Sequence, residues 1–285
     1  MVLETTIAKA LDEPYDVGRC LFLGLVHTMA LFLGPLLWYW GIIQCTWKSG
    51  VLALVWFEFS CTAITAGYHR LFSHPTYRAT LPLKIFHLLG GEAAFQGSVL
   101  DWASKHRAHH KHVDRDGDPY NIKRGFWYAH IGWMLRKTYS NFTLIPDLAK
   151  DSLITLQHRF DIPLAIIMTF VLPAMIGGLW GEALGSLFLT GFLRLVIQWH
   201  MTFFVNSIAH SWGKQDDPDI SARGSWLTGL LTKGEGDSHA YHHLHPGDYR
   251  VGIHWYNADP AKWFIWTCSK IGLASNLKRV RLVNS

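Results

Sequence analysis

Four long apolar runs, at 20–41, 50–68, 162–180 and 185–205, interrupt an otherwise polar chain. At about 1.5 Å of rise per residue, each is long enough to cross a hydrocarbon core of roughly 30 Å as a helix. Almost nothing separates the last two, which predicts a tight helical hairpin. The first run is too long for a signal peptide, and the stretch before it carries Glu4, Asp12, Glu13 and Asp16 against Lys9 and Arg19; it reads as a membrane helix. Between the second and third runs, 81–94 is largely apolar and 126–135 is aromatic-rich. Both are too short to span and predict amphipathic helices at the membrane interface. With no repeat, low-complexity tract or long linker, residues 1–285 read as a single domain. The predicted fold is an all-α integral membrane protein: four transmembrane helices with a helical cap formed by 69–161 and 206–285.

Four spans place both termini and both cap segments on one side. All of the 26 Lys and Arg residues except Lys48 and Arg194 fall on that side, and the positive-inside rule labels it cytoplasmic. Short tails around the core suggest a bacterial inner membrane. Hydrophobic residues make up 49% and charged residues 16% of the chain, which disfavours a soluble enzyme. The net charge of +5 therefore orients the protein in lipid; nucleic-acid binding would need a soluble basic face. Four dispersed cysteines without a C-x-x-C pair argue against a disulfide framework or a thiolate metal site. Glu58 and Arg194 lie inside spans, each roughly 16–18 Å before a cap-side histidine or asparagine of the same helix. Intramembrane charges are usually paired or functional, so these two are expected to pair with each other.

The 17 histidines change the picture. They form three clusters on the cap side: His69-Arg-Leu-Phe-Ser-His74, His106-Arg-Ala-His109-His110 and His239-Ala-Tyr-His242-His243. Imidazoles at i, i+3 and i+4 of a helix share a face and suit iron, zinc, copper or nickel. Adjacent His109 and His110 diverge by about 100° around a helix, so such a pair can serve two neighbouring metals. His69 and His74 would stand about 140° apart on a continuous α-helix. Pro75, however, biases His74 out of the helical region, which predicts a helix ending near Ser73 with His74 turning back. His210, just past the fourth span, is a candidate ninth ligand, and Asn206 one turn earlier could hold a metal-bound water. His27, His87, His158 and His254 read as ordinary surface or core histidines. A metal transporter would place ligands along a route at the midplane; here His27 and His200 are the histidines within the spans.

At these residues the sequence resembles the membrane fatty acyl desaturase family, in particular the delta-9 type that includes stearoyl-CoA desaturases and bacterial relatives. The likeness runs from about residue 50 to 279. It rests on the three clusters in order and on Thr65-Ala-Gly-Tyr-His-Arg-Leu, Asp118-Pro, Arg124-Gly-Phe, His130-Ile-Gly-Trp133, Asn206-Ser-Ile-Ala-His, Gly234-Glu-Gly and Gly272-Leu-Ala. The resemblance implies two iron ions held by His69, His74, His106, His109, His110, His210, His239, His242 and His243, with Asn206 acting through water and no catalytic residue beyond these ligands. It implies that Gln96, Trp102 and Thr202 line a bent acyl tunnel, and that Arg136 and Lys137 approach an acidic headgroup. It also implies O2 as co-substrate, an external electron donor of cytochrome b5 or ferredoxin type, and insertion of a cis double bond into a long-chain saturated acyl group carried as acyl-CoA or acyl-lipid. A fatty acyl or alkane hydroxylase on the same scaffold is the alternative. Two positions depart from the family. Asp237 and Ser238 both intervene between Gly-Glu-Gly and His239, where the family has one residue, so the third cluster is expected to be rotated or its loop bulged. Gly97, Ser104 and Lys105 replace polar or charged residues that contact acyl-CoA in animal members.

Overall fold

In the computed structural model residues 13–281 are described; both chain ends, placed on the cap side by the four-span reading, lie outside the described residues. Four helices have the length and apolarity to cross a membrane: α1 (Val17–Tyr39), α2 (Trp47–Ser73), α7 (Asp161–Gly178) and α8 (Ala183–His210). The hydropathy pattern thus located every span, but α2 and α8 overrun their apolar cores and continue into the cap. α1 starts at Asp16, whose carboxylate accepts the Arg19 amide at 3.0 Å, and α2 starts at Thr46, which caps Lys48. In α1 and α7 a π-helical stretch, Met29–Leu33 and Ile167–Val171, precedes Pro35 and Pro173. A proline ring collides with the carbonyl four residues earlier and cannot donate to it; the widened turn gives that carbonyl room.

The cap is helical. α3 (Leu81–Ala93) and α4 (Val99–His112) follow α2, and the short α5 (Phe126–His130) and α6 (Ser152–Arg159) lead to α7. After α8 come α9 (Trp226–Leu231), α10 (His239–Leu244) and α11 (Pro260–Lys270). Two antiparallel ribbons pin the connections: β1 (Arg78–Ala79) with β4 (Ala274–Ser275), and β2 (Lys214–Gln215) with β3 (Arg223–Gly224). The predicted 126–135 helix is split into α5 and a 3-10 turn at Gly132–Leu135. Tyr68, Phe72, Leu88, Val99, Leu100, Ile145 and Ile154 build one core between α2 and the cap. Leu23, Val26, Leu195, Trp199 and Phe203 build another between α1 and α8.

The C-terminal end of α3 is wedged into the bundle, and this explains Arg194. A helix end leaves carbonyls without intrahelical partners. Thr169 of α7 donates its hydroxyl to the Glu92 and Ala93 carbonyls at 3.2 Å each, Arg194 donates to the Ala93 carbonyl at 2.7 Å, and the Trp199 indole donates to the Ala94 carbonyl at 3.0 Å. Arg194 also donates to the Thr190 carbonyl and to Gln198. A cation at a helix C-terminus is favourable, so Arg194 serves as a cap. The expected Glu58–Arg194 pair does not form: Glu58 pairs with Lys233, from the loop after α9. The physical reason lies in the facing of the two side chains: Glu58 is exposed on α2 within reach of Lys233 of the cap, whereas Arg194 is buried against the end of α3.

Candidate metal centre

The nine histidines come from four helices and converge in the cap. His69 and His74 sit where α2 changes its winding. Residues Ala63–Ser73 are π-helical, and the His74 amide donates to the His69 carbonyl at 3.2 Å, five residues back. The i to i+5 bond of a π-turn brings together side chains that an α-helix would hold well apart. The helix ends at Ser73, with His74 at φ −109° and ψ 8°, and the two rings lie 5.1 Å apart. α4 supplies His106, His109 and His110 from its last two turns. α10 supplies His239, His242 and His243, and His210 closes the 3-10 turn at the end of α8.

Two groups result. Ring nitrogens of His69, His74, His106, His110 and His242 lie within 4.8 Å of one another, as do those of His109, His210 and His243. The Nε2 of His239 lies 3.1 Å from those of both His210 and His243, which attaches it to the second group. The extra residue before His239 therefore leaves this cluster facing inward. The chain enters this segment by turns through Lys233 (φ +57°) and Gly234 (φ +94°), and Asp237 accepts from the Asn257 side-chain amide at 3.1 Å.

Several outer nitrogens are already committed. His69 Nδ1 meets Glu235 at 2.9 Å, His109 Nδ1 meets Asp118 at 2.9 Å, and His210 Nδ1 meets Ser221 at 2.8 Å. Ser221 in turn donates its hydroxyl to Asp114 at 2.6 Å. These partners take the Nδ1 proton and leave Nε2 with its lone pair. Nε2 then faces Nε2 across 2.9 Å for His69 and His242, 3.1 Å for His239 and His210, and 3.4 Å for His109 and His243. Lone pairs converging in this way fit bound cations, and acidic partners behind histidine ligands are the usual support of metal sites. Burial and mutual repulsion hold the protonation of His74, His106, His110, His242 and His243 well below the ordinary histidine range. For His239, burial and His109 push it down to about 3. These six imidazoles are thus neutral and ready to bind metal at pH 7. Burial alone would raise the Glu235 pKa, but Arg70 and His69 keep it below the ordinary carboxylate range.

A cavity of about 570 Å³ opens onto both groups: His69, His106, His109, His239 and Asn206 are part of its wall. The remainder is largely apolar, with Phe22, Leu23, Ile64, Phe95, Ile166, Trp199 and Phe203. Gln96, Trp102 and Thr202 line it and are linked, the Trp102 indole donating to Gln96 Oε1 at 3.2 Å and Gln96 Nε2 donating to Thr202 at 2.9 Å. Arg136 and Lys137 are not in its wall. Arg136 donates to the Glu13 carbonyl at 2.7 Å and stacks over Tyr15, while the Lys137 amide donates to the Pro14 carbonyl; both hold the segment that enters α1. Glu235, Asp118, Asp114 and Ser221 were given no role by the sequence reading. Glu235 and Asp118 do lie in its quoted Gly-Glu-Gly and Asp-Pro motifs, whereas the Asp114–Ser221 contact joins segments that only the fold brings together.

Comparison with known proteins agrees with this geometry. The profile of the fatty acid desaturase family matches residues 45–274. A probable acyl-CoA desaturase of Schizosaccharomyces pombe is 44% identical over 88% of this chain and 54% of its own length. Acyl-CoA desaturase 1 of Saccharomyces cerevisiae is 42% identical over 76% of this chain and 43% of its own length. Human stearoyl-CoA desaturase 5 is 38% identical over 81% of this chain and 74% of its own length. The chain therefore spans about half the length of the two fungal relatives.

Proposed function

The chain belongs to the fatty acid desaturase family, and from that premise we propose that it inserts a cis double bond, at the delta-9 position, into a long-chain saturated fatty acyl group presented as acyl-CoA. The carrying observation is the apolar cavity that runs to two histidine groups at the membrane boundary. His69, His74, His106, His110 and His242 hold one iron; His109, His210, His239 and His243, with Asn206 through water, hold the other. When bound, the iron pair supplies the oxidising power, drawn from O2 and two electrons of an external one-electron donor of cytochrome b5 or ferredoxin type, that unreactive methylenes require.

The chain's own residues orient and exclude. Phe22, Ile64, Phe95 and Phe203 keep the cavity dry around an acyl chain, which suppresses side reactions with water. The Trp102–Gln96–Thr202 bridge fixes the tunnel wall beside His106, so it sets which carbons rest against the metals. Glu235 and Asp118 hold the rings of His69 and His109 in one tautomer. The cap faces the cytoplasm of a bacterial inner membrane.

Fatty-acid profiling of a host expressing the protein, beside one expressing His106→Ala, tests this reading. Expected is a new cis-monounsaturated acid two hydrogens lighter than its parent, in the wild type alone. Equal unsaturation in both strains overturns the mechanism, and a gain of oxygen in place of lost hydrogen assigns a hydroxylase.

A further inference from the structure

Along α2 the cavity wall runs from His69 through Thr65 and Ile64 to Cys61, and along α8 from Asn206 to Gln198. Ser60 donates to Gln198 Oε1 at 2.8 Å, which sets Cys61 and Gln198 level, at the end of the wall furthest from the metal groups on both helices. Asp16, Arg19, Asp101 and Asp161 belong to the starts of α1, α4 and α7 and give the cavity a polar mouth elsewhere. Lys233, from the loop after α9, also lines the cavity. Its ammonium pairs with Glu58, three residues before Cys61 and on the same face of α2. Lys233 therefore closes the far end and not the mouth.

An ammonium turned into an apolar cavity would be costly without a partner. Here the head group leaves the cavity. Glu58, its partner, has a side chain 57% exposed, and Leu54 and Val55, one turn back on α2, are exposed as well. Nζ also lies 5.5 Å from the centroid of the Phe57 ring, within cation–π range. What remains along the cavity is the methylene stem, the usual arrangement when a lysine head reaches past apolar surface. Between the cavity and the apolar outer face of α2 stands one aliphatic stem, tied at its tip.

The backbone under that stem is pinned. Lys233 has φ +57°, a left-handed conformation that side chains rarely adopt and that persists where the surroundings over-determine it. The Gly234 amide donates to the Gly229 carbonyl at 2.7 Å, and a Cβ on Gly234 would stand 2.4 Å from the Ala258 carbonyl oxygen. Thr232 donates its hydroxyl to the Thr228 carbonyl at 2.6 Å and accepts the Gly236 amide at 2.7 Å. The loop has nowhere to retreat, so this part of the wall moves only if the stem swings away from Glu58.

We propose that Lys233, held by Glu58, is the end wall of the acyl cavity and sets the longest acyl chain that the protein accepts. Lys233 touches none of the reacting carbons; it determines specificity. The inference rests on the desaturation reading above, which puts carbon 9 at the metals. Cys61 lies eight residues before His69, a span of roughly 10–12 Å at no more than about 1.5 Å per residue. An extended chain advances about 1.2 Å per bond, so about eight to ten carbons fit beyond the metals and the whole acyl chain has about 18.

Iron-free protein in lipid nanodiscs cannot turn over its substrate, so myristoyl-, palmitoyl-, stearoyl-, arachidoyl- and behenoyl-CoA can be titrated onto it and binding read without chemistry. Wild-type affinity is expected to climb to stearoyl-CoA and to fall about tenfold at arachidoyl-CoA, the low end of what a misfitting methylene costs in an apolar pocket. Lys233→Gly removes the stem and suits the positive φ; it should bring arachidoyl- and behenoyl-CoA up to the affinity of stearoyl-CoA. Glu58→Gln, an isosteric change at an exposed position that leaves the loop intact, unties the ammonium and should move the limit the same way. Circular dichroism and iron uptake identify the folded variants. An unchanged limit in folded Lys233→Gly overturns the end wall, and one unchanged in Glu58→Gln overturns the role of the pair. With iron, O2 and a chemical reductant supplied, the same shift should appear in which chains gain a double bond. A sharp length limit in a wild type that makes no alkene would leave the end wall standing and remove the desaturation reading instead.

Discussion

Glu92 illustrates how strongly position acts on a single side chain. Burial, and then the neighbouring Asp161 carboxylate, push its pKa up to about 9, although Gln157 donates to it at 2.5 Å. Folding therefore keeps a proton on Glu92 that the unfolded chain releases near 4.5. Because the folded value is the higher one, its contribution is fully present below pH 4.5 and is lost as pH rises toward 9. Glu92→Gln removes that loss. In detergent, the variant and wild type should melt alike near pH 4.5, and the variant should melt higher by at least about 2–4 °C at pH 8, the shift that about 1 kcal/mol gives a chain of this size. A gap that shrinks with rising pH would show that Glu92 is ionised in the fold. Nothing in Gly-Gly-Glu92 announced this, because a carboxyl's burial depends on elements far away in sequence. The histidines were legible for the opposite reason: at i, i+3 and i+4 in α4 and α10 they already share a face before any tertiary contact forms.

At the scale of elements, the first histidine pair depends on how α2 is wound and what it leans on. An α-helical wheel separates His69 from His74, and only the π-turn over Ala63–Ser73 unites them. Periodicity cannot reveal such a turn, although Pro75 did mark where it ends. The turn is held from outside. A Cβ on Gly91 of α3 would stand 2.1 Å from the Tyr68 ring, and one on Gly67 of α2 would stand 2.5 Å from His87. These glycines let α2 and α3 approach closely enough to pack Tyr68 into the core. Gly91→Ala should therefore cost about 1–3 kcal/mol, as overpacking does, and lower the melting temperature. Tyr68→Leu in the same chain should recover part of the loss, since residues in contact do not add. A Gly91→Ala protein as stable as wild type would mean that α3 shifts freely, and that the histidine pair does not rely on it.

For the whole molecule, the apolar runs gave the span count but not the position of the membrane boundary. Hydropathy ends a span where charge begins, yet α2 and α8 continue for several residues inside the cap, shielded by α3, α4 and α9 rather than by lipid. Glu58 and Arg194 looked alike on that count. In the fold one meets a cap lysine and the other closes the end of α3. The same extension carries His69 and His210 into the cap. The charge asymmetry of the sequence predicts a cap that faces inward, and thiol labelling tests it. With the half-buried Cys20 and Cys45 replaced by serine, a thiol at the exposed Lys48, in the first turn of α2, should react with a membrane-impermeant maleimide in intact cells. A thiol at the exposed Lys270, at the end of α11, should react only after permeabilisation. The reverse pattern would turn the cap outward.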